Sequence, residues 1–464
     1  MYRWFILGLL PFLFLFSSCR SEISNRNLPQ DPDIQVFFNH RDTGKKQYTD
    51  SYRNIQRPGD NLEALIIEAI NDAQFSIDLA VQELQLPEIA KALSQKQQQG
   101  VKIRVIIDHN YSRSASELSR QEISKLPARE RDRYNQYWQL IDLNQDGKLS
   151  KAEIAQRDAL TILRNDNIPL IDDTADGSKG SGLMHHKFII IDQQVVITGS
   201  ANFTLSGIHG DFSNLNNQGN VNHLLKIRNT QVAQLFTEEF NYMWGDGVGK
   251  SFDSKFGLSK PWRSPKTISW NNTTMTIQFA PTSQTQAWQA STSGLIGKTL
   301  QNGISEINLA LFVFSEQKLA DILQAESQEG VKIKALIDRD FVFRDYSEGL
   351  DMLGVALAKN CKYELDNNPW QNPINTVGTA ELPTGDKMHH KFATVNHDIV
   401  ITGSQNWSLA GNVNNDETVL IIKNETVAKH FLQEFYRLYQ TARLGIPKSI
   451  SNKIEAQEKQ CFKN

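Results

Sequence analysis

The apolar and polar positions of this chain repeat one pattern. The stretch FSIDLAVQELQLPEIAKALSQKQQQGVKIRVIID ends at Asp108, and ISEINLALFVFSEQKLADILQAESQEGVKIKALID ends at Asp338. Ile77 aligns with Ile307, Gly100 with Gly330 and Asp108 with Asp338, each 230 residues further on. Each copy predicts a strand from its β-rich apolar run and a helix from apolar residues at helical spacing (Ile89 and Leu93; Leu319 and Leu323). A glycine stop and a second apolar strand follow. Further helices are predicted around 62–72 and 294–302, ahead of the copies, and around 230–244 and 425–439, behind them.

Strands alternating with helices imply a layered α/β fold. The repeat implies two pseudo-symmetric halves, 34–245 and 274–444, around a shared central active-site cleft. Residues 246–273 are rich in Gly, Ser, Pro and Lys and are expected to be a connector. Residues 20–33 are expected to be a flexible tether and 445–464 a loosely held tail. The first half carries a helical insert at about 128–163 with no counterpart in the second.

Hydrophobic content of 39% suits a folded protein with a full core in each half. A net charge of −3 excludes a global positive field that would draw the chain onto nucleic acid. Residues 1–19 are expected to be an export signal: Arg3 precedes an apolar run from Phe5 to Phe16, then Ser17, Ser18 and Cys19. The ending resembles a bacterial lipoprotein box, with Cys19 the residue to be lipidated, although Phe16 stands where leucine is usual. That implies an exported bacterial protein held at a membrane on the periplasmic or extracellular side. Cys361 and Cys461 then remain; they could pair in an oxidising compartment, but the reading favours two separate thiols.

The candidate chemistry is also duplicated. Residues 184–206 read MHHKFIIIDQQVVITGSANFTLS and residues 388–410 read MHHKFATVNHDIVITGSQNWSLA. The shared frame holds His185, Lys187, Asp192, Ser200 and Asn202 in one copy, and His389, Lys391, Asn396, Ser404 and Asn406 in the other. Two imidazoles suit attack on phosphorus and protonation of a leaving oxygen, while lysine and amide donors neutralise phosphoryl oxygens. His186 and His390 alternate to the opposite strand face and are expected to be structural. In the insert, DLNQDGKLSKAE matches the EF-hand spacing. Its ligands would be Asp142, Asn144, Asp146 and Glu153, with the backbone carbonyl of Lys148, around a structural calcium ion.

These motifs resemble those of the phospholipase D superfamily, defined by His-x-Lys-x4-Asp and Gly-Ser-x-Asn, over nearly all the chain except the insert. The MHHKF and ITGSxN wording is most similar to the branch of bacterial endonucleases and mitochondrial cardiolipin hydrolases, which carry one motif per chain. The resemblance implies a monomer that supplies both halves of the site itself, and a two-step reaction through a phosphohistidine without metal or other catalytic cofactor. His185 and His389 would share the nucleophile and acid roles in either order. Lys187, Lys391, Asn202 and Asn406 would bind phosphoryl oxygens, oriented by Ser200 and Ser404, and Asp192 would join the catalytic set. Glu417, which aligns with Asn222, would hold His389, as a glutamate does in the endonuclease-like relatives.

Three functions follow as expectations. The first is a phospholipase D-type phosphodiesterase acting on phospholipid at a membrane surface. The second is an extracytoplasmic nuclease, with Phe203 and Trp407 as base-stacking candidates against a core-packing role. The third is a degenerate phosphodiester-binding module, suggested by Asn396 replacing the motif aspartate. The loop 207–221, without full counterpart in the second half, is a candidate lid or substrate-choosing loop, or a polar surface excursion.

Overall fold

The computed structural model describes residues 27–41, 47–178, 180, 182–249 and 251–461. The two repeats fold into two mixed sheets of matching order. In the first, the neighbours run Ile34–Phe38, His223–Arg228, Val195–Gly199, Lys187–Ile191, Ser76–Val81, Lys102–Ile107, Leu170–Asp172. In the second, Thr273–Phe279, Thr418–Lys423, Ile399–Gly403, Lys391–Val395, Glu306–Leu311, Lys332–Ile337 and Val377–Thr379 hold the corresponding places, extended by Lys266–Trp270 at one edge and Arg443–Leu444 at the other. The repeat is a register as well as a pattern. Ile77 pairs with Ile103 and Ile191, while Ile307 pairs with Ile333 and Val395.

The central strands are mostly apolar because both faces are covered. Lys187–Ile191 and Lys391–Val395 are buried at every position. The crossover helix Pro87–Gln98 starts on a proline at its first turn, and the chain leaves it through Gly100 at φ 91°. Each half has an outer core of its own, Leu62, Ile66, Ile89 and Leu93 in the first and Ile296, Leu319, Leu323 and Trp407 in the second.

The inner core is common to both halves. Helix Thr230–Trp244 contributes Phe236 and Phe240, and helix Glu425–Tyr439 contributes Phe431 and Phe435, to one cluster with Phe188, Phe392 and Phe279. Phe236 of the first half meets Phe279 of the second edge to face at 5.2 Å, and Phe38 meets Phe431 at 5.3 Å. This fixes the halves relative to each other.

Three loose segments expected from composition are held. Asp31 accepts a hydrogen bond from Asn424 Nδ2 at 2.9 Å, and Asp33 accepts from Trp270 Nε1 at 3.2 Å, so the end of the expected tether lies on the second half. The connector forms the strand Lys266–Trp270 and buries Lys260, which pairs with Glu239 and, at 2.5 Å, with Asp416. The tail forms the helix Lys448–Cys461, bonded through Gln457 to Ala358 and joined to Cys361 by the Cys361–Cys461 disulfide. The two cysteines, expected as separate thiols, are therefore bridged; no local spacing signals a contact 100 residues apart. Residues 1–19, including Cys19, lie outside the described residues. Among the described residues no helix is long and apolar enough to cross a membrane.

Candidate active site

The two motif strands begin side by side because each continues into the other half. His185 N donates to Asp416 O at 3.0 Å, and Asp416 N donates to Leu183 O at 2.9 Å. In mirror fashion, Val221 N donates to Lys387 O at 2.7 Å and His389 N to Val221 O at 3.0 Å. Asp108 and Asp338, at the ends of their strands, accept from Met184 N and Met388 N at 2.8 Å and fix the residue ahead of each histidine. The sequence alignment singled out both aspartates but gave them no role. Gly199 and Gly403 cannot carry side chains, since a Cβ would lie 2.2 and 2.1 Å from the neighbouring strand's carbonyls at His223 and Thr418.

This exchange decides which acceptor holds which imidazole. Glu417 follows Asp416 and therefore reaches His185: Nδ1 lies 2.8 Å from the carboxylate oxygens. Ser404 Oγ donates to the same carboxylate at 2.6 Å, and Asn415 Nδ2 at 3.3 Å. Glu417 thus serves His185, not His389 as expected, because the strand exchange delivers it to the opposite motif. His389 Nδ1 instead faces Asn222 Oδ1 at 3.0 Å and Ser200 O at 3.1 Å. Asn222 Nδ2 donates to Gly207 O at 2.7 Å, which orients the amide oxygen toward the ring, and Ser200 Oγ donates to that oxygen at 2.8 Å. Both imidazoles therefore donate from Nδ1, which leaves Nε2 of each ring to carry either a lone pair or a proton.

Lys187 and Lys391 are buried, each donating from Nζ to the carbonyl of its own motif histidine at 2.9 Å. Lys187 also reaches Gln82 Oε1 at 3.4 Å, which accepts from Asn202 Nδ2 at 3.2 Å. At the position 230 residues on stands Phe312, whose ring lies 4.6 Å from that of His389 and under the ammonium of Lys391 at 4.8 Å. Asn202 Oδ1 and Asn406 Oδ1 are buried without hydrogen-bond partners.

The electrostatics tie the motifs into one site. Burial, reinforced by both lysines, holds His185 and His389 well below the usual histidine range, and His185 itself acts on His389. Burial also pulls Lys187 down to about 7 against the opposing pull of Glu417, and pushes Glu417 up to about 7 against the opposing pull of Lys187. Lys391 is lowered by burial and then by Lys187.

Asp192 lies elsewhere. It sits past the far end of the Lys187–Ile191 strand, about 16 Å from Lys187 along the strand. Its carboxylate accepts from Gln74 N, Phe75 N and Ser76 N at 2.7–2.8 Å. Asn396 does the same job, its Oδ1 accepting from Ile304 N at 2.8 Å and Ser305 N at 3.1 Å. The motif carboxylate therefore locks a turn, a task the amide oxygen of Asn396 performs in the other half.

His186 and His390 point into the shared core, as strand alternation requires. His186 contacts Thr418 and Glu239, and His390 contacts His223 and Glu434. Phe203 and Trp407 are core residues, 0% and 1% exposed, which removes them as stacking platforms. The loop 207–221 is stitched down: Asn217 Oδ1 accepts from Arg53 at 2.8 Å, Gln218 N donates to Asp386 at 2.8 Å and Asn214 Nδ2 to Thr384 O at 2.9 Å. It bridges the halves where a free lid was one expectation. Of the residues matched to the EF-hand spacing, Asp142, Asn144, Asp146 and Lys148 lie in a separate segment between the helices Ala128–Ile141 and Lys151–Arg157, and Glu153 lies in the first turn of the second helix.

Two His-Lys sets from repeated α/β halves, joined at one buried centre, define a two-motif protein of the phospholipase D class. The family described as "Cardiolipin synthase, PLD-like domain" matches residues 66–244 and 296–439, and the chain belongs to it. It is similar to human mitochondrial cardiolipin hydrolase, 29% identical over 136 residues that make up 29% of this chain and 46% of that protein. The mouse protein of the same name is 30% identical over 136 residues, 52% of its length. The chain thus spans about half the length of the curated relatives it matches. Its fold is shared with phosphatidylserine synthase of Haemophilus influenzae Rd KW20, at 11% identity and a TM-score of 0.50 over 92% of this chain and 95% of that one.

Proposed function

We propose that this protein hydrolyses phospholipid phosphodiesters through a covalent phosphohistidine, with His185 as nucleophile and His389 as general acid. The observation that carries the assignment is the Glu417 carboxylate on His185 Nδ1. Attack by Nε2 on phosphorus leaves a positive phosphoimidazolium, which the carboxylate compensates. The P–O bond to the leaving alcohol breaks as His389 Nε2–H gives that oxygen its proton. His389 then takes a proton from water, the hydroxide attacks phosphorus, and the N–P bond breaks to restore His185. His389 is held by neutral oxygens, so its proton is secured by the bound phosphate anion itself. Lys187, Lys391, Asn202 and Asn406, with Ser200 and Ser404 behind them, neutralise the equatorial oxygens. The scheme asks no metal of the protein.

Lipid is favoured over nucleic acid by the net charge of −3 and by the burial of both candidate stacking residues. Export and lipidation at Cys19 would place the enzyme as a monomer on a membrane surface. The degenerate-module reading loses its one support, since Asn396 fills the same structural place as Asp192. The test compares wild type and His185→Ala, in chelator, on vesicles of phosphatidylcholine or cardiolipin and on single-stranded DNA. Lipid turnover lost in the variant is expected. Turnover of DNA alone overturns the lipid reading, and undiminished activity of the variant overturns the site.

A further inference from the structure

The insert in the first half carries an oxygen-lined loop that the phosphodiester site does not use. Between the helices Ala128–Ile141 and Lys151–Arg157 the backbone turns through Gln145 and Gly147 at φ 57° and 77°. Asp142 Oδ2 accepts from Gly147 N at 2.9 Å, Asn144 Oδ1 from Asp146 N at 2.9 Å, and Asp146 Oδ1 from Lys148 N at 2.8 Å. Glu153 closes the far side, accepting from Leu143 N at 3.0 Å and Ser150 N at 2.8 Å.

Such turns alone do not make a site. The independent observation is Asp142, which is only 8% exposed and whose Oδ1 is buried with no hydrogen-bond partner. Its sister oxygen bonds to Gly147 N across the loop, so the carboxylate faces the loop interior. A buried, unpartnered carboxylate oxygen is costly unless a cation meets it. Hard oxygen donors on a pliable loop suit calcium; magnesium demands stricter geometry, and zinc prefers nitrogen or sulfur.

We infer that the 142–153 loop binds one calcium ion through Asp142, Asn144, Asp146, Glu153 and the Lys148 carbonyl, and that the ion clamps the insert onto the first half. The clamped helices are tied at both ends. Arg133 reaches Glu83 at 3.5 Å, and Arg157 reaches Leu140 O at 3.3 Å and Glu88 at 3.8 Å. Tyr134, Tyr137 and Trp138 of the first helix enter the outer core. Glu83 adjoins Gln82, the residue that Lys187 and Asn202 contact, so the insert abuts the frame of the catalytic site. Calcium would then hold the insert, and with it this wall, without taking part in the reaction.

Titration calorimetry of the full chain with calcium chloride, paired with terbium luminescence sensitised by Trp138, tests the inference. One ion per chain is expected, with a dissociation constant of about 10⁻⁵–10⁻³ M. Glu153→Gln should weaken binding at least about tenfold, and so should Asp146→Asn, an exposed position where the fold is not at stake. His185→Ala should bind calcium as wild type does, which separates this result from the catalytic reading. Calcium should also raise the melting temperature and slow tryptic cleavage at the exposed Arg129. Absence of heat and of sensitised luminescence in wild type up to about 5 mM calcium overturns the site. Equal binding by wild type and both loop variants overturns the ligand set, and calcium binding without any gain in melting temperature or protease resistance overturns the clamp.

Discussion

His185 and Glu417 are 232 residues apart in the chain, yet the imidazole Nδ1 of one lies 2.8 Å from the carboxylate of the other. The contact crosses the pseudo-twofold axis. The reciprocal pair, His389 and Asn222, places a neutral amide oxygen 3.0 Å from the other ring. One histidine is thus backed by a carboxylate and its partner by an amide, which gives a symmetric scaffold two unlike imidazole environments.

Removing only that charge should be costly. Glu417→Gln preserves the bulk of the side chain and an acceptor for Ser404, but cannot compensate a phosphoimidazolium. Its kcat on a soluble chromogenic phosphodiester is expected to fall about 10²–10⁴-fold. A kcat equal to wild type would mean that the carboxylate plays no part in the chemistry.

The same residue is expected to set an acid limb in the rate. Burial raises Glu417 from an ordinary 4.5 to about 7. Between these values the folded state binds the proton more tightly than the unfolded chain, so this group's contribution to stability is lost as pH rises through about 7. Activity runs in the opposite sense, because only the ionised carboxylate supports attack by His185. The kcat of wild type should therefore decline as pH falls below about 7, and Glu417→Gln should flatten that limb. A limb that persists in the variant would assign it to another group.

Asp192→Asn should be silent in catalysis. Asn396 already performs the same turn-locking task in the other half. The expected change in kcat is less than about twofold, and Asp192→Ala, which strips an acceptor from three backbone donors, should lose about 1–2 kcal/mol of stability. A large kcat loss in Asp192→Asn with unchanged melting would restore the aspartate to the mechanism.

Lys260 joins the connector to the site. It is buried between Glu239 and Asp416, and Asp416 is the residue that delivers Glu417. Lys260→Met leaves two buried carboxylates, Glu239 still facing Arg263 at 3.1 Å and His186 at 3.2 Å. A loss of about 3–5 kcal/mol in denaturant melts is expected, and an unchanged melt would show the cluster is not under electrostatic load.

The disulfide closes a loop of 100 residues and holds the C-terminal helix. Cys361→Ser is expected to lower stability by about 2–5 kcal/mol and to expose 448–461 to protease, with wild type under reductant behaving alike. Identical melting with and without reductant would refute a stabilising bridge.

The α/β class, the duplication and the two motif strands were legible in the chain because each rests on local pattern. Apolar runs of strand length, helical spacing at Ile89 and Leu93, and the stop at Gly100 need no distant partner to be read. The glycine-serine pairs were legible as a repeated motif, but why glycine is needed was not: a Cβ at Gly199 or Gly403 would strike the backbone of the neighbouring strand. Segments judged by composition fared worse. Lys260, Asp31 and Cys461 sit in polar or terminal stretches, and what holds them are partners far away in sequence.

The sequence by itself determined which side chains the proposed reaction would use: two histidines and two lysines at strand starts, each in a frame set by neighbours a few residues away. Only the tertiary structure decided how they are assigned, sending Glu417 to His185, Asn222 to His389 and Asp192 to a remote turn. The reason is geometric. Each motif strand completes its hydrogen bonding on the opposite half, so a residue's chemical partner is chosen by packing across the shared core, which no local spacing encodes.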